Sequence, residues 1–133
     1  MHGLHLTADL HGCDRAQPAL TDADTLRALC LRAVAAAGLH VVNQLFHRFA
    51  PAGAGQPAGV TGVVLLAESH LAVHTWPERG AVTLDVYVCN FSADHGPAAE
   101  ALMDTLVAAF APREARRERL ARGTPARQTL PLA

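Results

Sequence analysis

Two strand-length apolar runs limit what this chain can fold into. Val60-Thr61-Gly62-Val63-Val64-Leu65-Leu66-Ala67 and Ala81-Val82-Thr83-Leu84-Asp85-Val86-Tyr87-Val88-Cys89 are rich in β-formers and too short for helices. They demand a sheet at the centre of the molecule. Between them lies Glu68-Ser69-His70-Leu71-Ala72-Val73-His74-Thr75-Trp76-Pro77-Glu78, with two carboxylates, two hydroxyls, two imidazoles and an indole in eleven residues. The surrounding chain is mostly Ala, Val, Leu, Gly and Arg, so this density of reactive groups is not packing filler. Core strands on either side would hold such groups rigidly, and function is expected here.

The remaining pattern surrounds that centre. Leu4, Leu6, Ala8 and Leu10 alternate as one face of a strand. Thr21-Asp22-Ala23-Asp24 reads as a helix start with Thr21 as the capping hydroxyl, followed by Leu26, Leu29, Cys30, Ala33, Val34 and Ala37 at helical spacing. Gly38 stops that helix, giving bounds of about 22–37. Val41 to Phe49 is a second strand with Leu45, His47 and Phe49 on one face. Residues 50–59 are a Gly- and Pro-rich surface connection without the Gly-Lys-Ser/Thr of a phosphate loop. Strands over 60–67, 69–76 and 81–89 follow. A second helix then begins near 90–94, with Ala98, Leu102, Leu106, Ala109 and Phe110 as its apolar stripe and Pro112 at its end. This order implies an α+β two-layer sandwich, an antiparallel sheet with two helices packed on one face.

Length and composition narrow the class further. At 133 residues, half of them hydrophobic and with net charge −1, a single compact soluble domain over 1–133 is expected. No apolar run reaches the roughly 18 residues of a membrane span. Met1-His2-Gly3-Leu4-His5 lacks the features of a signal peptide, which points to a cytoplasmic protein. Cys13, Cys30 and Cys89 are odd in number and widely spaced, as free thiols are. The segment 113–123 carries five arginines and two glutamates. It reads as a solvated strand or frayed helix rather than a nucleic-acid patch, since no aromatics interleave with the charges. All eleven basic residues are arginines. A chain without lysine cannot hold pyridoxal phosphate as a lysine Schiff base, so any carbonyl chemistry needs another source.

The reactive residues taken singly leave several readings open. On a strand, His70 and His74 share a face with Cα atoms about 13 Å apart, too far to share one ion easily. No Cys-x-x-Cys or His-Glu-x-x-His pattern accompanies them, and no metal is expected. Ser69 lies in Glu-Ser-His rather than in a nucleophile elbow. A Ser-His hydrolase would need Asp85 or Glu78 as orienting acid. The plain alternatives are a turn hydroxyl for Ser69, a buried inert thiol for Cys89, and core packing for Phe49 and Trp76.

Phe46-His47-Arg48-Phe49, the run from Thr61 through Glu78, and a strand ending in Cys89 together resemble the bacterial and archaeal S-adenosylmethionine decarboxylase family. The similarity extends from about His5 to Pro112. It implies a proenzyme in which the Ser69 hydroxyl attacks the Glu68 carbonyl. The resulting ester eliminates to release residues 1–68, and residues 69–133 remain capped by a pyruvoyl group derived from Ser69. In this likeness His74 and Thr61 assist processing, Thr61 standing where relatives carry a serine. Cys89 returns a proton to the substrate carbon, Glu78 takes the ribose hydroxyls, and Phe49 stacks on adenine. A homodimer or higher homo-oligomer is implied, with the active site near the subunit contact and neither nucleic acid nor membrane as partner.

The chain departs from the pattern at Tyr87-Val88-Cys89-Asn90, where Phe-Thr-Cys-Gly is common, at Asp9 and His11, and in a longer Phe49–Thr61 connection. The principal expectation is decarboxylation of S-adenosylmethionine to the aminopropyl donor for spermidine synthesis. The same cofactor acting on L-ornithine or L-arginine is the alternative, and an unprocessed regulatory or metal-binding relative is a more distant one.

Overall fold

The computed structural model describes residues 2–91 and 93–123. Six strands form one sheet, β1 (Gly3–His11), β2 (Val41–Arg48), β3 (Val60–Leu66), β4 (Ser69–Trp76), β5 (Ala81–Cys89) and β6 (Glu114–Arg122). Their order is β2-β3-β4-β5-β1-β6, and every neighbouring pair is antiparallel. Helices α1 (Ala23–Ala36) and α2 (Gly96–Phe110) pack on the sheet, α1 against β2 and β3, α2 against β5 and β1. The α+β sandwich read from the sequence is therefore the observed architecture.

Side-chain alternation divides the sheet into two unlike faces. Leu4, Leu6, Ala8 and Leu10 of β1, Val60, Val64 and Leu66 of β3, Leu71 and Val73 of β4, and Val82, Leu84, Val86 and Val88 of β5 are buried beneath the helices. From α1 they meet Leu26, Cys30, Ala33 and Val34. From α2 they meet Ala99, Leu102, Met103, Leu106 and Phe110. The expected stripes need two corrections. Ala99 and Met103, rather than Ala98 and Ala109, line the buried side of α2, and Leu29 of α1 is only partly buried. The cap of α1 is Asp22 instead of Thr21, its carboxylate accepting from the Asp24 amide and the Thr25 hydroxyl.

Among the described residues, no helix covers the opposite face. Leu45, Leu65 and Leu120 are exposed there, 69%, 45% and 53% respectively, alongside the polar residues of the alternating pattern. The arginine-rich segment is the edge strand β6, so the strand reading of 113–123 holds. It is exposed throughout and tied to α2 by Arg117 with Asp104 (2.7 Å) and by Arg119 with Glu100. Charges along an edge also discourage pairing with another chain. Residues 124–127 of the arginine-rich tail lie outside the described residues.

Candidate active site

The dense stretch from Glu68 to Glu78 splits by strand periodicity. Leu71, Val73 and Thr75 point into the core, whereas His70, Ala72, His74 and Trp76 lie on the open face. Thr75 is a structural member of the motif. Its buried hydroxyl accepts from the Val60 amide (2.8 Å) and donates to the Leu20 carbonyl (2.7 Å), joining β3, β4 and the segment before α1. Gly59 beside it has no room for a side chain, since a Cβ there would stand 2.2 Å from the Thr75 carbonyl oxygen.

At one end of β4, Thr61 and His74 are cross-strand partners, and the threonine hydroxyl is hydrogen-bonded with His74 Nδ1 at 3.0 Å. One ring nitrogen is thereby committed to orientation, leaving Nε2 for a reacting group. Phe49, Trp76 and Glu78 line an open cleft of ≈ 270 Å³ beside this pair, together with Gly59, Thr61, His74 and Thr75. Phe49 and Trp76 are 49% and 39% exposed, so neither is core. A planar aromatic ligand could stack here with its hydroxyls toward Glu78. The Phe49 amide donates to the Gly59 carbonyl at 3.0 Å, closing the base of the long 50–59 connection at the cleft's rim.

Ser69 stands at the other end of β4. Leu66 and Ser69 pair across the two-residue turn Ala67–Glu68, and Glu68 has φ +56°. This left-handed conformation costs a side-chain-bearing residue about 1–2 kcal/mol. The only other described non-glycine residue with positive φ is Ala111, so the unfavourable backbone conformation falls on the residue immediately before Ser69. The Cys89 amide donates to Ser69 Oγ at 3.3 Å, which joins the hydroxyl to the end of β5. Ser69 is half-buried and Cys89 buried. A small cavity of ≈ 70 Å³ borders Ser69, Leu66, His40 and His95.

The sequence-derived site thus falls into two halves. Glu68, Ser69 and Cys89 form one, while Phe49, Thr61, His74 and Glu78 form the other. Five residues of strand separate Ser69 from His74, about 16 Å at the usual rise. Asp85, nominated as an orienting acid, serves neither Ser69 nor His74. It bonds to His70 at 2.9 Å and His5 at 3.2 Å. His5 was missed from the sequence because it sits alone in the first strand. The available signal was alternation: Thr83, Asp85 and Tyr87 put polar atoms on one face of a strand whose other face is wholly apolar.

A family model described as S-adenosylmethionine decarboxylase matches residues 4–123. The S-adenosylmethionine decarboxylase proenzyme of Thermococcus onnurineus is 38% identical over 109 residues, covering 82% of this chain and 72% of that protein. The proenzyme of Aquifex aeolicus is 44% identical over 88 residues, 66% of this chain and 59% of its own length. The crystal structure of the Aquifex aeolicus adenosylmethionine decarboxylase superposes with a TM-score of 0.79 at 34% identity, covering 96% of each chain.

Proposed function

This chain belongs to the S-adenosylmethionine decarboxylase family, and we propose that it is a self-processing pyruvoyl-dependent enzyme whose site is completed by a second subunit. Its reaction is decarboxylation of S-adenosylmethionine, the activity its relatives' names carry. The observation that carries this reading is Ser69 at a strained turn, with the Cys89 amide on its hydroxyl, in a chain without lysine.

Processing is chemistry of the chain's own atoms. Ser69 Oγ attacks the Glu68 carbonyl carbon, the amide bond becomes an ester, and the Ser69 nitrogen is released as an amine. Loss of the Ser69 α-proton then expels the Glu68 carboxylate, giving fragments 1–68 and 69–133. Hydrolysis at the remaining nitrogen releases ammonia and leaves the carbonyl. The fit is favourable: the serine is half-buried at a strand start, and its neighbour's conformation relaxes when the bond is cut. The resulting pyruvoyl group supplies the carbonyl that withdraws electrons as carbon dioxide leaves. Cys89 is the proton donor to the substrate carbon. Phe49 and Trp76 hold the adenine, and Glu78 accepts from the ribose hydroxyls. The positive sulfonium is also attracted to the aromatic faces.

The separation of Ser69 from His74 supplies the argument for a homodimer. Two copies packed by their open faces cover Leu45, Leu65 and Leu120. A two-fold axis between the sheets, perpendicular to the strands, reverses strand direction. The Ser69 end of one β4 then faces His74 of the partner subunit, held by its own Thr61. In that arrangement we assign the imidazole the role of base for the Ser69 α-proton. Among the described residues, no helix is long and apolar enough to cross a membrane.

Carbon dioxide release tests substrate and proton donor together. Wild type is expected to decarboxylate S-adenosylmethionine and leave L-ornithine and L-arginine untouched. Cys89→Ala should still cleave, with turnover lowered about 100-fold or more. Release from a basic amino acid alone would reassign the substrate, and full turnover by Cys89→Ala would move the proton donor elsewhere.

The strain at Glu68 has its own test. In a Ser69→Ala background, which keeps the chain whole, Glu68→Val should unfold about 1–2 kcal/mol more readily than Glu68→Asn, because β-branched residues tolerate positive φ poorly. Coincident urea midpoints would mean that the turn stores no strain.

A further inference from the structure

A line of hydrogen bonds crosses four strands of the open face, outside the cleft. Arg122 of β6 lies 3.2 Å from His5 Nδ1 on β1. His5 Nε2 meets Asp85 Oδ1 on β5 at 3.2 Å, and His70 Nε2 on β4 meets the same oxygen at 2.9 Å. A guanidinium only donates, so His5 Nδ1 accepts and its Nε2 carries the proton that goes to Asp85. His70 Nε2–H donates to that carboxylate from the other side. The three groups also stand at metal-ligand spacing, with their ligand atoms within 4.8 Å of one another. With His5 Nε2 protonated, however, that atom has no lone pair for an ion, and hydrogen bonding accounts for the cluster.

The register explains how one carboxylate serves two rings. His5, Tyr87 and His70 form a row across β1, β5 and β4, and Asp85 lies in the adjoining row between Thr7 and Ala72. The small Ala72 leaves space for the carboxylate to lean toward both imidazoles. Tyr87 closes the cluster from above, 5.9 Å and 5.8 Å from the two rings, with Arg122 over its own ring at 5.1 Å. Both histidines and the aspartate are half-buried, so their bonds are stronger than surface ones.

We propose that the His5–Asp85–His70 network is a positioning device that holds the start of β4 in register once the Glu68–Ser69 bond is cut. This rests on the reading that Ser69 becomes the pyruvoyl group. Before cleavage the Ala67–Glu68 turn restrains Ser69 covalently. Afterwards residue 69 is a chain terminus, and untethered strand ends fray. His70 is the first residue behind that terminus, and its ring is the first side chain anchored to another strand. Misplacing a reacting group by about 1 Å can cost about 100-fold in rate.

The test compares His70→Leu, which removes the donor, with His70→Gln, whose amide nitrogen reaches the place of Nε2. Asp85→Asn, similar in size but uncharged, serves as a second variant should His70→Leu fold poorly. Each is made in the cleavable chain and in the Ser69→Ala chain. In cleaved His70→Leu, amide hydrogen exchange over residues 70–73 should rise at least about tenfold. The same substitution in the Ser69→Ala chain, whose turn is intact, should change it little. Turnover on S-adenosylmethionine should fall about 10- to 100-fold with KM within about threefold, and His70→Gln should recover most of the loss. Asp85→Asn should fall in the same direction.

Unchanged exchange and turnover in a cleaved His70→Leu protein would overturn the proposal. So would equal loss in the Leu and Gln variants, a change confined to KM, or failure of His70→Leu to cleave, which would place the network in processing. Failure of the wild type to cleave would instead overturn the reading of Ser69.

Discussion

Ser69→Ala is expected to remain a single chain of 133 residues and to release no carbon dioxide from S-adenosylmethionine above background. The substitution removes one oxygen atom. Its structural cost is the hydrogen bond from the Cys89 amide at 3.3 Å, about 1 kcal/mol, and the buried residues of β4 on which the fold depends are untouched. The functional cost is total because alanine cannot become a pyruvoyl carbonyl, and the chain has no lysine on which pyridoxal phosphate could be held instead. Intact mass, carbon dioxide release and thermal unfolding together check the expectation. A folded, uncleaved and active Ser69→Ala protein would remove Ser69 from the mechanism.

Co-expression of two inactive chains should restore activity if the site is shared between subunits. In the proposed mechanism, Ser69→Ala lacks the nucleophile and His74→Ala lacks the base. In a mixed dimer, one site combines both defects, while the other combines the intact Ser69 of the His74→Ala chain with the intact His74 of the Ser69→Ala chain. With random pairing, half of the dimers are mixed and one of their two sites is sound, so about a quarter of wild-type activity should return. Only the His74→Ala chain should be cut, which mass spectrometry distinguishes. The geometry behind this is the spacing of Ser69 and His74 along β4, about 16 Å at the normal strand rise. No rotamer of either side chain spans it. Absence of activity and of cleavage in the mixture would mean that each site is built within one subunit.

The central strands were legible because they alternate: Leu4, Leu6, Ala8 and Leu10 of β1 are all buried, as period two requires. The helices were legible by position and less so in detail. Asp22 competes with Thr21 for the cap, and alanines at 98, 99 and 109 offer nearly equal small apolar surfaces, so only tertiary packing selects Ala99. The arginine-rich segment had no pattern of its own to decide between strand and helix. Pairing with β1 and ion pairs to Glu100 and Asp104 make it a strand.

The candidate residues were legible individually, but their grouping was not. Residues close in sequence are far apart on an extended strand, so the eleven-residue motif supplies the ends of two half-sites and a core staple at Thr75 rather than one centre. Asp85 and His5 are eighty residues apart and meet only through the β1–β5 register.

The most direct test is the intact mass of the denatured wild-type protein. The account predicts two species that join between Glu68 and Ser69, the second blocked to N-terminal sequencing because its first residue carries a carbonyl instead of an amine. One species with the mass of the full chain would contradict it, and with it the assignment of Ser69 as the source of the cofactor.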